Sequence, residues 1–237
     1  MDRYYDAQLQ ISDLQERSGQ IDQALTTLSL VSEQRNSFEL QVQIGDIARR
    51  NEEYKKALEA YQKAFDLQEQ EGSSIPWSLY YSRGIVYERL DEWDKAEIDL
   101  KKALELEPEH PYILNYLGYS WADQNKNLDQ SLEMITKAVH LLPEDGYIVD
   151  SLGWVYYRME RYSEAVAPLE KAVELLPDDP TINDHLGDAY WKVGRKHEAR
   201  FQWKRALSFL SGNPDNLSEK EVSEMTETIE EKILSGL

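Results

Sequence analysis

The chain has no cysteine among its 237 residues. Disulfides and thiolate metal sites are therefore excluded, and the absence suits the periplasm as well as the cytosol. Long apolar runs are also missing, and the start, Met1-Asp2-Arg3-Tyr4-Tyr5, is polar and aromatic. Neither a signal peptide nor a transmembrane segment is expected from that pattern. Positive charge is scarce: 26 Lys and Arg face 45 Asp and Glu, for a formal net charge of −19. So acidic a chain cannot release phosphate counterions on a large scale, which excludes nucleic acid as a partner and disfavours anionic membranes. A basic or neutral peptide fits better. No strand pattern occurs, hence no glycine-rich phosphate loop behind a strand. The four histidines, His110, His140, His185 and His197, lack the i, i+4 spacing of a helical zinc pair. No metal or cofactor is expected.

What the chain does have is 41% hydrophobic and 11% aromatic residues, enough for a core, and three columns of small residues in lockstep. One runs Gly45, Gly84, Gly118, Gly153, Gly187; the second Ala57, Ala96, Ser131, Ala165, Ala199; the third Ala64, Ala103, Ala138, Ala172, Ala206. The successive spacings are 39, 35, 34 and 34 in all three. A shared period near 34 residues is the mark of stacked helix–turn–helix units, which bind more often than they catalyse. The units are about 5–37, 38–71, 77–110, 111–145, 146–179 and 180–213, an array over 1–213, followed by a closing helix over 214–237. Pro108, Pro143 and Pro177 each close a unit. Gly and Ala should mark close approaches between helices.

Two insertions break the rhythm. Gly72 to Pro76 adds five residues and predicts a joint, while one extra residue falls in the Asn125-Lys126-Asn127 turn. The pattern stops at Ser211-Gly212-Asn213-Pro214. Ser218 and Glu221 then form a capping-box pattern opening a helix with Val222, Met225, Ile229 and Ile233 on one stripe, suited to covering the last apolar face. Pro168, inside the second helix of the fifth pair, predicts a mild bend. The first helix begins without a capping element, so the reading is of a piece of a longer protein with Met1 not native to it.

These residues resemble the tetratricopeptide repeat (TPR) family over nearly the whole chain. Tyr80, Gly84, Tyr87, Ala96, Leu100, Ala103 and Pro108 match its pattern, as do Leu152, Gly153, Tyr156, Ala165, Leu169, Ala172 and Pro177. Departures are Arg83 for the usual leucine, and Ser12 and Val31 for small residues. The resemblance implies an all-α, right-handed superhelical solenoid of about six helix pairs plus a C-terminal capping helix. It also implies that the first helices of the pairs line a concave ligand groove. A narrower likeness, carried by Leu117 to Asp123, Asp150 to Arg158 and His185 to Asp188, is to TPR proteins of the Gram-negative bacterial envelope. Among these are lipoprotein adaptors of C-terminal processing proteases. It implies a periplasmic, envelope-associated parent rather than a cytoplasmic one, and a protease or its substrate as partner.

In the fourth pair, Leu114, Leu117, Gly118 and Trp121 form one helical stripe, and Tyr112, Asn115, Tyr116 and Tyr119 another. The first matches the core positions of the family, which leaves the second for the groove. That register gives a groove of Tyr81, Ile85, Tyr112, Asn115, Tyr116, Tyr119, Tyr147, Asp150, Trp154, Tyr157, Asp184, His185, Asp188 and Trp191. A tyrosine stripe is more often core than binding surface, but here the core stripe is already filled. Aromatic rings offer contact area at low entropy cost. Asn115 could bond a backbone amide, and Asp150, Asp184 and Asp188 would favour a partner's lysine, arginine or free amine. The lysine, arginine and asparagine that hold a terminal carboxylate in TPR co-chaperones are absent from these positions. Asp184 and Asp188, four apart, resemble a carboxylate pair, but an open acidic surface lacks the dry pocket that catalysis needs. The expected function is a non-catalytic protein–protein interaction module, an adaptor or scaffold. The alternatives are self-assembly into a homo-oligomer and a regulatory arm of a larger enzyme whose catalytic part lies elsewhere.

Overall fold

The computed structural model describes residues 2–212 and 217–237. Asn213 and Pro214 of the expected break, and Met1, lie outside the described residues. Thirteen helices and no strand occur among the described residues: α1 (Asp2–Arg17), α2 (Ile21–Gln34), α3 (Phe38–Arg50), α4 (Tyr54–Glu71), α5 (Trp77–Arg89), α6 (Trp93–Leu106), α7 (Pro111–Asp123), α8 (Leu128–Leu141), α9 (Gly146–Arg158), α10 (Tyr162–Leu175), α11 (Pro180–Lys192), α12 (Lys196–Leu210) and α13 (Glu219–Ser235). The all-α repeat architecture is as expected. The chain divides into two compact units, residues 1–108 and 109–237. The division falls at the end of α6, not at the 72–76 insertion, where Gly72 simply closes α4 in the left-handed conformation and Pro76 precedes α5.

Each pair is made by the same local chemistry. A residue with positive φ sits seven positions after the glycine column: Glu52, Asp91, Asn125, Glu160 and Gly194. It turns the chain sharply enough for the second helix to fold back on the first. Gly19 holds that place in the first pair, which puts Ser12, fully buried and bonded to the Leu9 carbonyl, in the glycine column. Four of the six are not glycine, and each non-glycine residue there costs about 1–2 kcal/mol. The extra residue of the fourth pair is absorbed by a second left-handed residue, Asn127.

The column glycines bring helices together. A Cβ at Gly153 would fall 2.4 Å from Leu169 Cγ, and one at Gly187 the same distance from Trp203 Cδ1. The alanine columns are fully buried throughout. Ser131, which replaces alanine in one of them, hands its hydroxyl proton to the Gly118 carbonyl. In unit 1 the departure at Arg83 has a structural reason. Its guanidinium lies 3.6 Å over the Phe65 ring and makes a two-pronged, mostly buried ion pair with Asp99 at 2.7 and 3.0 Å. In unit 2, α10 runs unbroken past Pro168. Ser218 and Glu221 form the full capping box of α13. That helix presses Ile229 into the cluster of Leu186, Ala189, Trp203, Ala206 and Leu210, with Val222, Met225 and Ile233 around it.

Candidate functional site

Helices α7, α9 and α11 carry the residues that matter in unit 2. Their N-termini are fixed by sequence: Pro111 and Pro180 occupy first-turn positions, where a missing N–H costs nothing. Asp145 accepts from Tyr147 N and Ile148 N, and Asp179 from Ile182 N at 3.0 Å. Between these helices lies a cavity of about 190 Å³ lined by Asn115, Tyr116, Tyr119, Tyr147, Asp150, Ser151, Asp179, Thr181 and Ile182. No lysine or arginine lines it. Tyr112 and Tyr147 are half exposed, at 49% and 53%. The amide of Asn115 borders the cavity while its Oδ1 is buried with no hydrogen-bond partner among the described residues. Burial and the neighbouring Asp179 hold the Tyr147 phenol above its ordinary pKa.

Beside the cavity is a buried charged cluster. His185 Nδ1 bonds both oxygens of Asp150, at 3.0 and 2.9 Å, and its ring stacks on Trp154 with centroids 4.0 Å apart. Trp154 stacks in turn on Tyr157 at 5.0 Å. Burial disfavours the imidazolium, but Asp150, with Asp184 and Asp188 behind it, raises the His185 pKa overall. The Tyr157 phenol is pushed up by burial and then by Asp188.

One turn further on, Trp203 Nε1 donates to Asp188 Oδ1 at 2.9 Å. The bare backbone of Gly187 is what lets that indole lie against α11. Lys232 of α13 donates to Asp184 Oδ1 and Oδ2 at 2.9 and 2.8 Å and to Asp188 Oδ2 at 3.0 Å. Burial, then the Asp184 charge, push the Asp188 carboxyl up to about 6, against the pull of Lys232 and Trp203.

The structure thus sorts the residues of the expected groove. Asn115, Tyr116, Tyr119, Tyr147 and Asp150 share the cavity. Tyr112 stands exposed, its ring 5.9 Å from His110. Trp154, Tyr157 and His185 form a stack that includes the Asp150 pair. Tyr81 and Ile85 belong to unit 1, where Tyr81 packs 6.3 Å from Trp77. Two expectations need correction. Asp184 and Asp188 do not sit on an open surface: Lys232 covers them, and the pair is nearly as dry as the core. Asp150 is likewise already paired, with His185. Trp191 lies beneath the C-terminal turn, where a Cβ on Gly236 would come within 2.0 Å of its ring.

Sequence reasoning missed Ser151, Thr181, Asp179, Ile182 and Lys232. Thr181 and Ser151 were within reach, because they share register with Tyr147 and Tyr116 relative to the glycine column. Nothing in the sequence pairs Lys232 with residues 44 and 48 positions earlier.

Sequence models of the tetratricopeptide repeat match residues 36–109, 77–146 and 153–194. A TPR repeat-containing protein of Pseudomonas aeruginosa is 28% identical over 161 residues, 67% of this chain and 26% of that protein. The chain therefore spans about a quarter of that relative. Among solved structures, a tetratricopeptide repeat protein from Parabacteroides merdae superposes with a TM-score of 0.70 at 16% identity, covering 96% of this chain and 99% of that one. YrrB, described as a TPR protein with an unusual peptide-binding site, gives 0.57 at 21% identity, covering 72% and 86%. At these identities the structures speak for the fold alone.

Proposed function

Because this chain belongs to the tetratricopeptide-repeat family, whose members are generally non-catalytic interaction modules, we propose that unit 2 holds an extended peptide segment of a partner protein along α7, α9 and α11, as an adaptor or scaffold. The observation that carries this reading is the tyrosine-walled cavity, open beside the half-exposed rings of Tyr112 and Tyr147. Large rings offered to solvent on a surface whose core positions are already filled are contact area held ready, with few torsions to freeze on binding. Asn115 adds a polar anchor, since its partnerless carbonyl oxygen can accept from a peptide N–H once the side chain turns. The peptide-binding site named for YrrB is a precedent on the same fold. A protease or its substrate as the partner is the finest form of the reading and comes from the envelope-type motifs.

The test is photo-crosslinking in the native cell, with a reactive amino acid at Tyr147 and a control at exposed Lys55. The captured segment would be mapped by mass spectrometry. The reading predicts one defined segment from Tyr147, lost when Tyr119→Ala is added, with nothing from Lys55. Capture of the protein's own copies alone would replace the reading by self-assembly. Trp154→Ala is the poorer probe, because that ring supports His185 and its loss would disturb the cluster.

A further inference from the structure

Helix α13 does two separable things. Val222, Met225, Ile229 and Ile233 cover the last apolar face, which any amphipathic helix could do. Lys232 and Gly236 reach further, onto Asp184, Asp188 and Trp191 of α11. Those three are residues that the repeat register assigns to the ligand side. Covering an apolar face requires no lysine there, and this one is only 12% exposed, with its ammonium shared between two carboxylates.

We propose that the Asp184–Asp188 pair is a subsite for a basic side chain of the partner, and that Lys232 is its intrachain occupant, displaced when a lysine- or arginine-bearing segment binds. The proposal rests on the groove reading above and names the chemistry of its partner.

Charge balance selects that chemistry. If Lys232 leaves and nothing replaces it, two buried carboxylates face each other uncompensated, and breaking such a pair is strongly unfavourable. Exchanging one cation for another restores the balance, so a displacing partner must bring its own. The movement required is small. Ile229 can stay anchored one turn upstream while the flexible lysine stem swings out past Thr228 and Ser235, its exposed neighbours on the same helix face. Trp203 donates to Asp188 Oδ1, an oxygen that Lys232 also contacts, and this bond from α12 holds the acceptor whichever cation is present. A tethered lysine acts at an effective concentration in the millimolar range. It therefore lowers the apparent affinity of every competitor and screens out weak ones.

The test uses the full chain and two peptides, acetyl-Gly-Gly-Lys-Gly-Gly-amide and its norleucine counterpart. The reporter is the Trp203 indole N–H, one of six indoles in the chain, read by NMR because its proton bonds Asp188. Lys232→Ala should bind the lysine peptide at least about tenfold more tightly than the wild type. The norleucine peptide should leave the indole resonance in place, and adding Asp184→Asn should remove the response. Should Lys232→Ala fail to fold, Lys232→Gln keeps a donor on Asp184 and should give the same order. Equal binding by wild type and variant would overturn the proposal, as would equal response to both peptides or no response in either variant. The groove reading fails separately: loss of capture at Tyr147 with the peptide response intact would leave the cation subsite standing without it.

Discussion

Gly45, Asp46 and Tyr61 near one end of the chain and Gly187, Asp188 and Trp203 near the other are built to one plan. In both, an aromatic ring sixteen residues beyond the glycine lies on its bare backbone and bonds the aspartate beside it. Tyr61 gives its proton to Asp46 Oδ1 at 2.6 Å, and Trp203 gives its own to Asp188 at 2.9 Å. Both rings are fully buried. The aspartates differ in burial, Asp46 being 30% exposed and Asp188 7%, and they differ in their cation. In unit 1 it is Arg49, four residues after the glycine on the same helix, bonding the Tyr61 hydroxyl at 3.3 Å and lying 3.8 Å from Asp46. In unit 2 that register position holds Trp191, and the cation arrives from another helix, as Lys232. A carboxylate served by its own helix is locked wherever that helix forms. One served by a terminal helix depends on whether that helix is in place. The first arrangement is structural, and the second can exchange.

The largest effect should come from removing the shared aromatic. Trp203→Ala deletes a fully buried ring and the donor to Asp188, and should cost about 3–5 kcal/mol in chemical denaturation. Next, the two cations should separate clearly. Lys232→Met leaves Asp184 and Asp188 facing each other and should cost about 3 kcal/mol at pH 8. Arg49→Met, whose side chain is a quarter exposed, should cost about 1 kcal/mol or less. Similar losses at the two sites would mean that the distinction between locked and exchangeable carboxylates is wrong.

The repeats were legible because small residues at fixed spacing have no other cheap explanation. The glycine column marked the close approaches, and Ser218 with Glu221 marked the start of α13. The cavity was half legible: Asn115, Tyr116, Tyr119 and Tyr147 follow from helical spacing, since one face of a helix can be read along the chain. The state of the carboxylates was not. Periodicity says which face Asp184 occupies, but not that a helix from beyond residue 218 folds back over it. Arg83 shows the same limit. It reads as a lapse in a leucine column, yet it is an ion pair with Asp99 and a cation over Phe65.

A smaller effect follows from protonation. The Asp188 carboxyl is raised in the folded chain, so its proton is held more tightly there than in the unfolded chain. The stability this gives is complete below the ordinary value of 3.8 and is lost as pH rises through about 6. Asp188→Asn should flatten the stability profile between about pH 4 and 6, by about 2 kcal/mol. The loss in Lys232→Met should shrink over the same interval, because a neutral Asp188 no longer needs a cation. His185, also raised, acts in the same direction at higher pH, its contribution falling away above the ordinary 6.5. An unchanged profile in Asp188→Asn would assign the acid dependence to other carboxylates.

One further small effect bears most directly on the comparison. If position four after the glycine is where unit 1 keeps its cation, a cation placed there in unit 2 should take over from Lys232. Trp191→Arg supplies one on α11 itself, one turn from Asp188, as Arg49 stands one turn from Asp46. Alone the substitution should be mildly destabilising, because Gly236 and Arg200 pack on the indole it removes. In the Lys232→Met background it should instead recover about 1 kcal/mol. The sign of the double-mutant coupling, read from denaturation midpoints of the four chains, is the measurement. Positive coupling would show that a cation tethered on α11 can serve Asp188 as Arg49 serves Asp46. No coupling would mean that Asp184, which has no counterpart beside Asp46, makes the site at α11 different in kind.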